Sequence, residues 1–320
     1  MGFDVPILFL AYNRPSLTKI TLERIMQINP LNLYVSLDGP KPGKDGDLEN
    51  CQLVKQIVYD TVRKDCNLHL KINSSNTGCK YAVKNGIDWF FGMVEYGIIL
   101  EDDCLPNLSF FDFCKVLLLK YRYDDCISHI SGSNFQYGIW RGLRSYYFSK
   151  YTHIWGWATW KRAWKDYDIE MKNFESSSLF DGKTIQLPMN LFRDVYQGKI
   201  DTWDIQWFYT NILYGRMTII PNINLVENLG FDKLATHTNG KHYSYMKYSK
   251  TGNLLFPLSH PFFYKVNFGA DQLIAFKIFS NTFYNLFYKK IFIFSFFIDR
   301  VISKIKYKIF KGYLFRINNI

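Results

Sequence analysis

Three acidic residues in a row, Glu101-Asp102-Asp103, follow directly after the apolar segment 96–100. Such a segment predicts a buried strand, so the three carboxylates are expected at a strand tip rather than on a solvated helix face. Adjacent carboxylates repel each other unless a cation lies among them, and hard oxygen ligands suit Mg²⁺ or Mn²⁺. The triplet therefore predicts a divalent-metal site that water and substrate phosphate oxygens complete. The alternative is an exposed acidic turn that caps a helix beginning near Leu108.

Three other polar groups also follow apolar segments: Arg14, Asp38 and residues 76–80. Parallel strands bring their carboxyl ends to one edge of a sheet, so these groups and the acidic triplet are expected to converge there. Arg14 is a permanent cation that can offset phosphate charge. Alternatively, Arg14 is only a surface residue before Pro15, and Asp38 is only the first position of a turn.

The segments that would position these groups alternate regularly along the first hundred residues. Strands are predicted over residues 5–12, 33–37, 68–72 and 96–100, and helices over 16–28, with Ser16 as the N-cap, 53–64 and 79–93. This alternation predicts right-handed βαβ units. We therefore expect an α/β fold with a Rossmann-like, mostly parallel sheet flanked by helices.

The composition excludes several classes of protein. The 320 residues are 48% apolar and 18% aromatic, which rules out a mainly disordered chain, and 20 Gly and 10 Pro without a period rule out a collagen-like one. A net charge of +11 favours an anionic partner, such as nucleotide phosphate, nucleic acid or an acidic membrane. The six cysteines lack metal-site spacing and no signal peptide is recognisable, so we expect reduced thiols in a cytoplasmic protein, with disulfides less favoured.

The basic excess is concentrated in residues 280–320, which carry eight basic residues and one acidic residue, or +7 of the total. The apolar run 291–298 is too short to span a bilayer, which needs about 20 apolar residues. Charge and apolar content together predict a basic amphipathic helical tail at the anionic inner face of the membrane. The alternative is a terminal helix that packs on the core.

The order of these segments resembles a known enzyme family. Ile7-Leu-Phe-Leu-Ala-Tyr-Asn-Arg14, Val35-Ser-Leu-Asp38 and Ile98-Ile-Leu-Glu-Asp-Asp103, followed by Pro106 and Phe110-Phe111, resemble the GT-A glycosyltransferases. Within that fold they most resemble the N-acetylglucosaminyltransferase I type, including its bacterial relatives in surface-polysaccharide synthesis. The resemblance covers about residues 5–240. It implies a catalytic domain over 1–279, with a nucleotide-sugar half of about 1–130 and an acceptor half of about 131–279.

The resemblance also implies an activity, a metal and a set of donor-binding residues. The activity is inverting transfer of a sugar, such as GlcNAc, from a UDP-sugar to a glycan or lipid-linked acceptor, with no nucleic acid as partner. Asp103 matches the carboxylate that binds Mn²⁺ or Mg²⁺. The donor contacts fall on Arg14 for the phosphates, Asp38 for the uracil ring, Lys80 for the nucleotide, and Glu101 and Asp102 for the sugar and ribose.

The densest tryptophan cluster allows two interpretations. Trp155-Gly156 matches a family loop beside the donor sugar, and glycine lets backbone approach a substrate closely. Trp157, Trp160 and Trp164 are spaced by three and four residues, which predicts one helical stripe packed into the core. The alternative for these three rings is stacking on a carbohydrate.

The segment around Asp204 resembles the family's Trp-Asp segment, which holds the catalytic base. Asp204 follows Trp203, and Ile205 occupies the place of a second aspartate found in the animal enzyme. A carboxylate near the acceptor hydroxyl suffices for general-base catalysis, so Asp204 is the predicted base. Asp201 is the reserve candidate, and a simple helix N-cap is the alternative for either residue.

His237 lies in a polar loop, where it is predicted to contact the diphosphate or to close over the donor, with a structural role as the alternative. Two other functions stay open. A nucleotidyltransferase acting on sugar phosphates would normally carry a glycine-rich loop after its first strand, and residues 12–15 form no such loop. A non-catalytic basic protein that binds membrane or nucleic acid would leave the acids at the strand tips unexplained.

Overall fold

An eight-stranded sheet forms the centre of the computed structural model, which describes residues 2–175, 188–230, 250–279 and residue 305. Its strands are β1 (Ile7–Ala11), β2 (Asn32–Leu37), β3 (Asn67–Ile72), β4 (Tyr96–Glu101), β6 (Ile127–Ser131), β7 (Tyr146–Ser149), β8 (Trp157–Trp160) and β9 (Met217–Pro221). A separate pair is formed by β5 (Cys104–Pro106) and β10 (Val226–Asn228). The strand order in the large sheet is β3-β2-β1-β4-β8-β6-β9-β7.

The described residues form eight α-helices. They are α1 (Pro15–Met26), α2 (Asp47–Thr61), α3 (Gly78–Met93), α4 (Leu108–Lys120), α5 (Lys161–Trp164), α6 (Met189–Tyr196), α7 (Asp204–Leu213) and α8 (Phe268–Ile274), and a π-helical turn over Ala275–Phe279 continues α8. Strand and helix alternate from β1 to β4, as the sequence predicts.

The predicted α/β class with a mostly parallel sheet is confirmed. Strands β3, β2, β1 and β4 are mutually parallel, and β6 and β9 run in the same direction, so six of the eight strands point one way. Only β8 and β7 are antiparallel to their neighbours. The order β3-β2-β1-β4 is that of a Rossmann-like half-sheet. Strands from before and after residue 130 belong to the same sheet. The proposed division of the catalytic domain into a nucleotide-sugar half, 1–130, and an acceptor half, 131–279, stays a prediction.

Two predicted helix starts differ from the structure. Arg14, not Ser16, is the N-cap of α1, because Pro15 occupies the first helical position, where its fixed φ and missing N–H are tolerated. Helix α2 begins at Asp47 rather than at residue 53. Asp47 lies in its first turn, where a carboxylate interacts favourably with the helix dipole.

The predicted helical stripe of Trp157, Trp160 and Trp164 is wrong, although its assignment to the core is correct. Residues Trp157–Trp160 form β8, and only Trp164 is helical. Because side chains alternate across a strand, Trp157 and Trp160 enter different sides of the sheet and different apolar clusters. All three rings are at most 4% exposed.

All six cysteines, which lie within the described part of the chain, are free thiols, in line with the expectation of reduced cysteines. No helix among the described residues has both the length and the apolar content needed to cross a bilayer. The predicted tail over 280–320 lies outside the described residues, except for residue 305.

Candidate active site at the carboxyl edge of the sheet

The parallel strands bring the predicted groups to one edge of the sheet. Strand β1 pairs with β4 as far as Leu10 opposite Glu101, and with β2 as far as Ala11 opposite Leu37. Arg14, Asp38 and the acidic triplet therefore leave the sheet on the same side. The convergence that the sequence predicts is present.

Arg14 bridges two acids of the triplet. Its Nη1 donates to Oδ2 of Asp103 at 2.8 Å, and its Nε donates to Oδ2 of Asp102 at 3.2 Å. Its Nη2 also donates to Oδ1 of Asp102. The Asp102 side chain is 3% exposed and that of Arg14 is 40% exposed, so the guanidinium pairs with the buried acid while remaining open to a ligand.

The acidic triplet carries more negative charge than Arg14 can balance. Burial, with the charges of Asp103 and Asp102, raises the pKa of Glu101. Burial also raises the pKa of Asp102, and the neighbouring Arg14 acts in the opposite direction. A bound cation would relieve this repulsion.

The donor set fits a divalent cation that takes most of its ligands from the substrate. Asp103 offers a hard carboxylate that is 15% exposed, although Arg14 occupies its Oδ2. Among the described residues, no three His, Cys, Asp or Glu side chains are grouped to hold a metal ion. Mg²⁺ is commonly held by one or two carboxylates with water and phosphate oxygens, which matches this edge.

The segment after β10 covers Asp103 closely. The backbone N–H of Leu229 donates to the Asp103 carbonyl at 2.8 Å. A Cβ at Gly230 would lie 2.6 Å from Asp103 Oδ2, so only glycine fits there without displacing the carboxylate. Sequence reasoning missed this contact, and the glycine at 230 is its one sequence signal.

Asp38 holds the loop between β3 and α3. Its Oδ1 accepts from the Gly39 N–H at 3.0 Å, from Asn73 Nδ2 at 3.0 Å and from Thr77 Oγ1 at 3.0 Å. Its Oδ2 accepts from Asn76 Nδ2 at 2.8 Å, and the Thr77 N–H lies within 3.2 Å of both oxygens. A uracil N–H would have to share these oxygens with the loop.

Asp47 is a residue of the site region that sequence reasoning missed. Its carboxylate accepts from the Tyr12 hydroxyl, from Asn13 Nδ2, from the Lys41 N–H at 2.7 Å and from Lys44 Nζ at 3.0 Å. The pKa of Asp47 is well below its usual range, because these donors outweigh the opposing effect of burial. Two of the partners directly precede Arg14, so Asp47 fixes the loop that presents it. Its place at the start of a helix was the available signal.

Asp204 is the first residue of α7, and Trp203 is the N-cap. The Asp204 side chain is partly exposed and accepts a hydrogen bond from the Thr202 hydroxyl. Burial raises the pKa of Asp204, and this hydrogen bond acts in the opposite direction. Asp204 lies one position after the N-cap residue Trp203, and the backbone N–H groups of residues 204 and 205 also act to lower its pKa, so a capping role in the first turn of α7 stays the alternative.

The charge of Asp204 reaches the acidic triplet. It contributes to the raised pKa of Glu101. Burial raises the pKa of the Cys79 thiol to about 12, and the charges of Glu101, Asp204 and Asp201 add to the effect. Residues from β4, α3 and the start of α7 therefore lie close enough for their charges to interact.

Trp155-Gly156 lies beside the end of β4. Gly156 has φ +61°, and a Cβ there would lie 2.7 Å from Val226 and 3.2 Å from Leu100, the residue before the triplet. Trp155 is half-buried and packs edge-on against Phe135 at 5.0 Å between ring centroids. Backbone approach at Gly156 thus brings this loop next to the acidic edge.

Of the two remaining predicted donor residues, the structure describes only Lys80. Lys80 lies in the first turn of α3, with Nζ 5.5 Å from the centroid of the Tyr81 ring. His237 lies outside the described residues.

No family model and no curated protein matches the sequence. The fold is similar to solved structures at low identity. UDP-glucose pyrophosphorylase complexed with UDP-glucose is 11% identical, with a TM-score of 0.38 over 78% of this chain and 97% of that one. Mouse xyloside xylosyltransferase 1 is 10% identical, with a TM-score of 0.34 over 65% and 81%. An inositol-1-phosphate CTP transferase from T. maritima is 12% identical, with a TM-score of 0.37 over 79% and 99%. At these scores the similarities identify no activity for this chain.

Proposed function

We propose that this chain is a metal-dependent inverting glycosyltransferase of the GT-A type, which transfers a sugar from a UDP-sugar to a glycan or lipid-linked acceptor. The observation that carries the proposal is the contact of Arg14 with Asp102 and Asp103 at the carboxyl edge of parallel strands. A cation and a hard anionic ligand side by side suit a nucleotide diphosphate and its metal ion. Asp204, whose charge acts on Glu101, suits an acceptor hydroxyl.

Arg14 and Asp103 would hold the diphosphate end of the donor. The Arg14 guanidinium is fixed by Asp102 on one side and can donate to phosphate oxygens on its exposed side. Asp103 would hold Mn²⁺ or Mg²⁺, which neutralises charge on the leaving diphosphate. Gly156 and the loop it belongs to would flank the sugar.

Asp204 would remove the proton of the acceptor hydroxyl as that oxygen attacks the anomeric carbon. The attack comes from the side opposite the diphosphate, so the anomeric configuration inverts. The raised pKa of Asp204 makes its carboxylate a stronger base than a solvated aspartate, provided that it is ionised at the working pH. Its bond from Thr202 favours the ionised form.

The test is metal-stimulated release of UDP from a panel of UDP-sugars, with product analysis. We expect Asp103→Ala to abolish the metal stimulation, whereas Asp112→Ala, which removes an exposed acid on α4, should leave it unchanged. Equal activity of Asp103→Ala and the unsubstituted protein would overturn the metal assignment. Formation of a nucleotide-sugar and pyrophosphate from a sugar phosphate and UTP would instead identify a nucleotidyltransferase.

The proposed acceptor implies a location at the inner face of the membrane. The net charge of +7 in residues 280–320 supports this, since each basic residue near an anionic surface contributes about 1 kcal/mol. Replacing Lys304, Lys306 and Lys308 by Glu should weaken co-sedimentation with anionic vesicles and leave UDP release in solution unchanged. Undiminished co-sedimentation would refute the role of 280–320.

A further inference from the structure

We propose that a second, folded surface also contacts an anionic lipid bilayer: the loop 261–268 together with Leu143 and Arg144. The inference extends the proposed membrane contact but uses none of residues 280–320. It starts from an unusual exposure of phenylalanine. Of the phenylalanines whose exposure the structure describes, the exposed ones are Phe262 at 80% and Phe263 at 81%, and Phe268 at 60%, which begins α8.

The loop is held firmly against the edge strand β7. The Ser145 N–H donates to the Ser259 carbonyl at 2.9 Å, and the Asn267 N–H donates to the Phe148 carbonyl at 2.8 Å. Between these two anchors, the Tyr264 ring packs on Phe148 with centroids 5.4 Å apart. The exposed rings are therefore presented by a fixed backbone, which reduces the conformational entropy lost when they bind.

The surroundings of the exposed rings are basic. The Arg144 guanidinium lies 4.1 Å from the centroid of the Phe262 ring, and Lys265 is itself exposed. Lys120 is close enough to lower the pKa of His260, after the larger effect of burial, and one acid, Asp124, accepts a hydrogen bond from Tyr264.

This combination fits an anionic bilayer. Aromatic rings insert at the boundary between headgroups and acyl chains, and arginine and lysine beside them meet the negative headgroups. Leu143, which is 54% exposed, adds apolar area next to Arg144. The loop also precedes residues 280–320, so the two basic, aromatic parts of the chain are close in sequence.

The first experiment is co-sedimentation of the full-length protein with vesicles of equimolar phosphatidylglycerol and phosphatidylcholine. Replacing Phe262 and Phe263 together by Ser should reduce the partition coefficient about tenfold, because two rings lose their apolar burial. The matched control is Leu48→Ser with Leu53→Ser, two residues of α2 that are each 52% exposed, which should leave binding unchanged. Equal binding of the phenylalanine variant and the unsubstituted protein would overturn the proposal.

The second experiment locates the contact within the full chain. With the exposed Cys79 and Cys126 replaced by Ser, an environment-sensitive dye is attached through Phe263→Cys, or through Tyr59→Cys on α2 as a control. The emission should shift to the blue only for position 263, and only with the anionic vesicles. Vesicle binding without an emission shift at position 263 would mean that residues 280–320 act alone. An emission shift at position 263 before vesicles are added would mean that another part of the chain or a second copy covers the loop. Either result overturns the proposal, whereas the UDP-release assay remains a separate test of the glycosyltransferase.

Discussion

Replacing Asp47 by Ala should destabilise the protein and impair the site at once. The carboxylate is 1% exposed and accepts hydrogen bonds from four groups, of which Tyr12 and Asn13 belong to the loop before Arg14. A hydrogen bond to a charged group contributes about 1.5–3 kcal/mol to stability, but the contributions of four bonds to one carboxylate are not additive. The carboxylate is also shielded from water mainly by these partners and does not lie deep in the core, so water can replace part of what is lost. We expect a loss of about 2–4 kcal/mol in the free energy of unfolding, a large fraction of the roughly 5–15 kcal/mol typical of a folded protein.

Urea unfolding followed by tryptophan fluorescence measures this loss, and UDP release at varied donor concentration measures the site. Because Arg14 follows the freed loop, the KM for the donor should rise by about tenfold or more, as expected when about 1.4 kcal/mol of binding is lost. Asp60→Ala, which removes an exposed acid near the end of the same helix, should change stability by less than about 0.5 kcal/mol. A loss below about 1 kcal/mol for Asp47→Ala would refute the view that this carboxylate organises the loop.

Three further outcomes are expected. His129 is held neutral, because Nδ1 accepts from Trp207 Nε1 at 3.1 Å and burial lowers its pKa to about 3. In the unfolded chain this histidine takes up a proton near its ordinary pKa of 6.5, so the free energy of unfolding should fall as the pH drops from 6.5 towards 3, with a shallower fall in His129→Asn. Gly230→Ala should weaken Mn²⁺ stimulation of UDP release, since its Cβ would meet Asp103; an unchanged Mn²⁺ titration contradicts this. Arg14→Lys should lower kcat/KM about tenfold or more, because a lysine ammonium cannot donate to a carboxylate and a phosphate at once as the planar guanidinium can. A near-normal kcat/KM would contradict the role of Arg14 in binding the diphosphate.

Strands β1, β2 and β4 were predictable because they are buried along almost their whole length and lie in mainly apolar segments. Residues 33–37 and 96–100 were placed within one residue of β2 and β4. The tryptophan segment was not predictable in the same way. Spacings of three and four between Trp157, Trp160 and Trp164 fit a helix, yet a short strand followed by one helical turn buries the same rings. Periodicity over eight residues does not distinguish the two cases.

The site was predictable to the extent that it depends on topology. Parallel strands place Arg14 and Asp103 at one edge whatever their detailed contacts, and the structure joins them by a hydrogen bond. The partners of Asp38 and Asp47 depend on how two loops fold back, which no local pattern encodes. Asp38 takes all but one of its donors from residues 73–77, about 35 positions away, and Asp47 takes two of its donors from 12–13.

These contacts decide which acids at the edge are free for chemistry. Asp38 and Asp47 have their oxygens filled by the chain's own donors, and Asp102 is neutralised by Arg14. These three carboxylates therefore hold the loops around the site in place, and their negative charge is largely compensated before a ligand binds. The acids still able to gain a partner are the three that are partly exposed: Glu101, Asp103 and Asp204. Asp103 keeps 15% side-chain exposure although Arg14 and the Cys104 thiol donate to its two oxygens, and Asp204 accepts from the Thr202 hydroxyl. A metal ligand and a general base need accessible carboxylate oxygens, so the exposure of Asp103 and Asp204 supports the proposed roles.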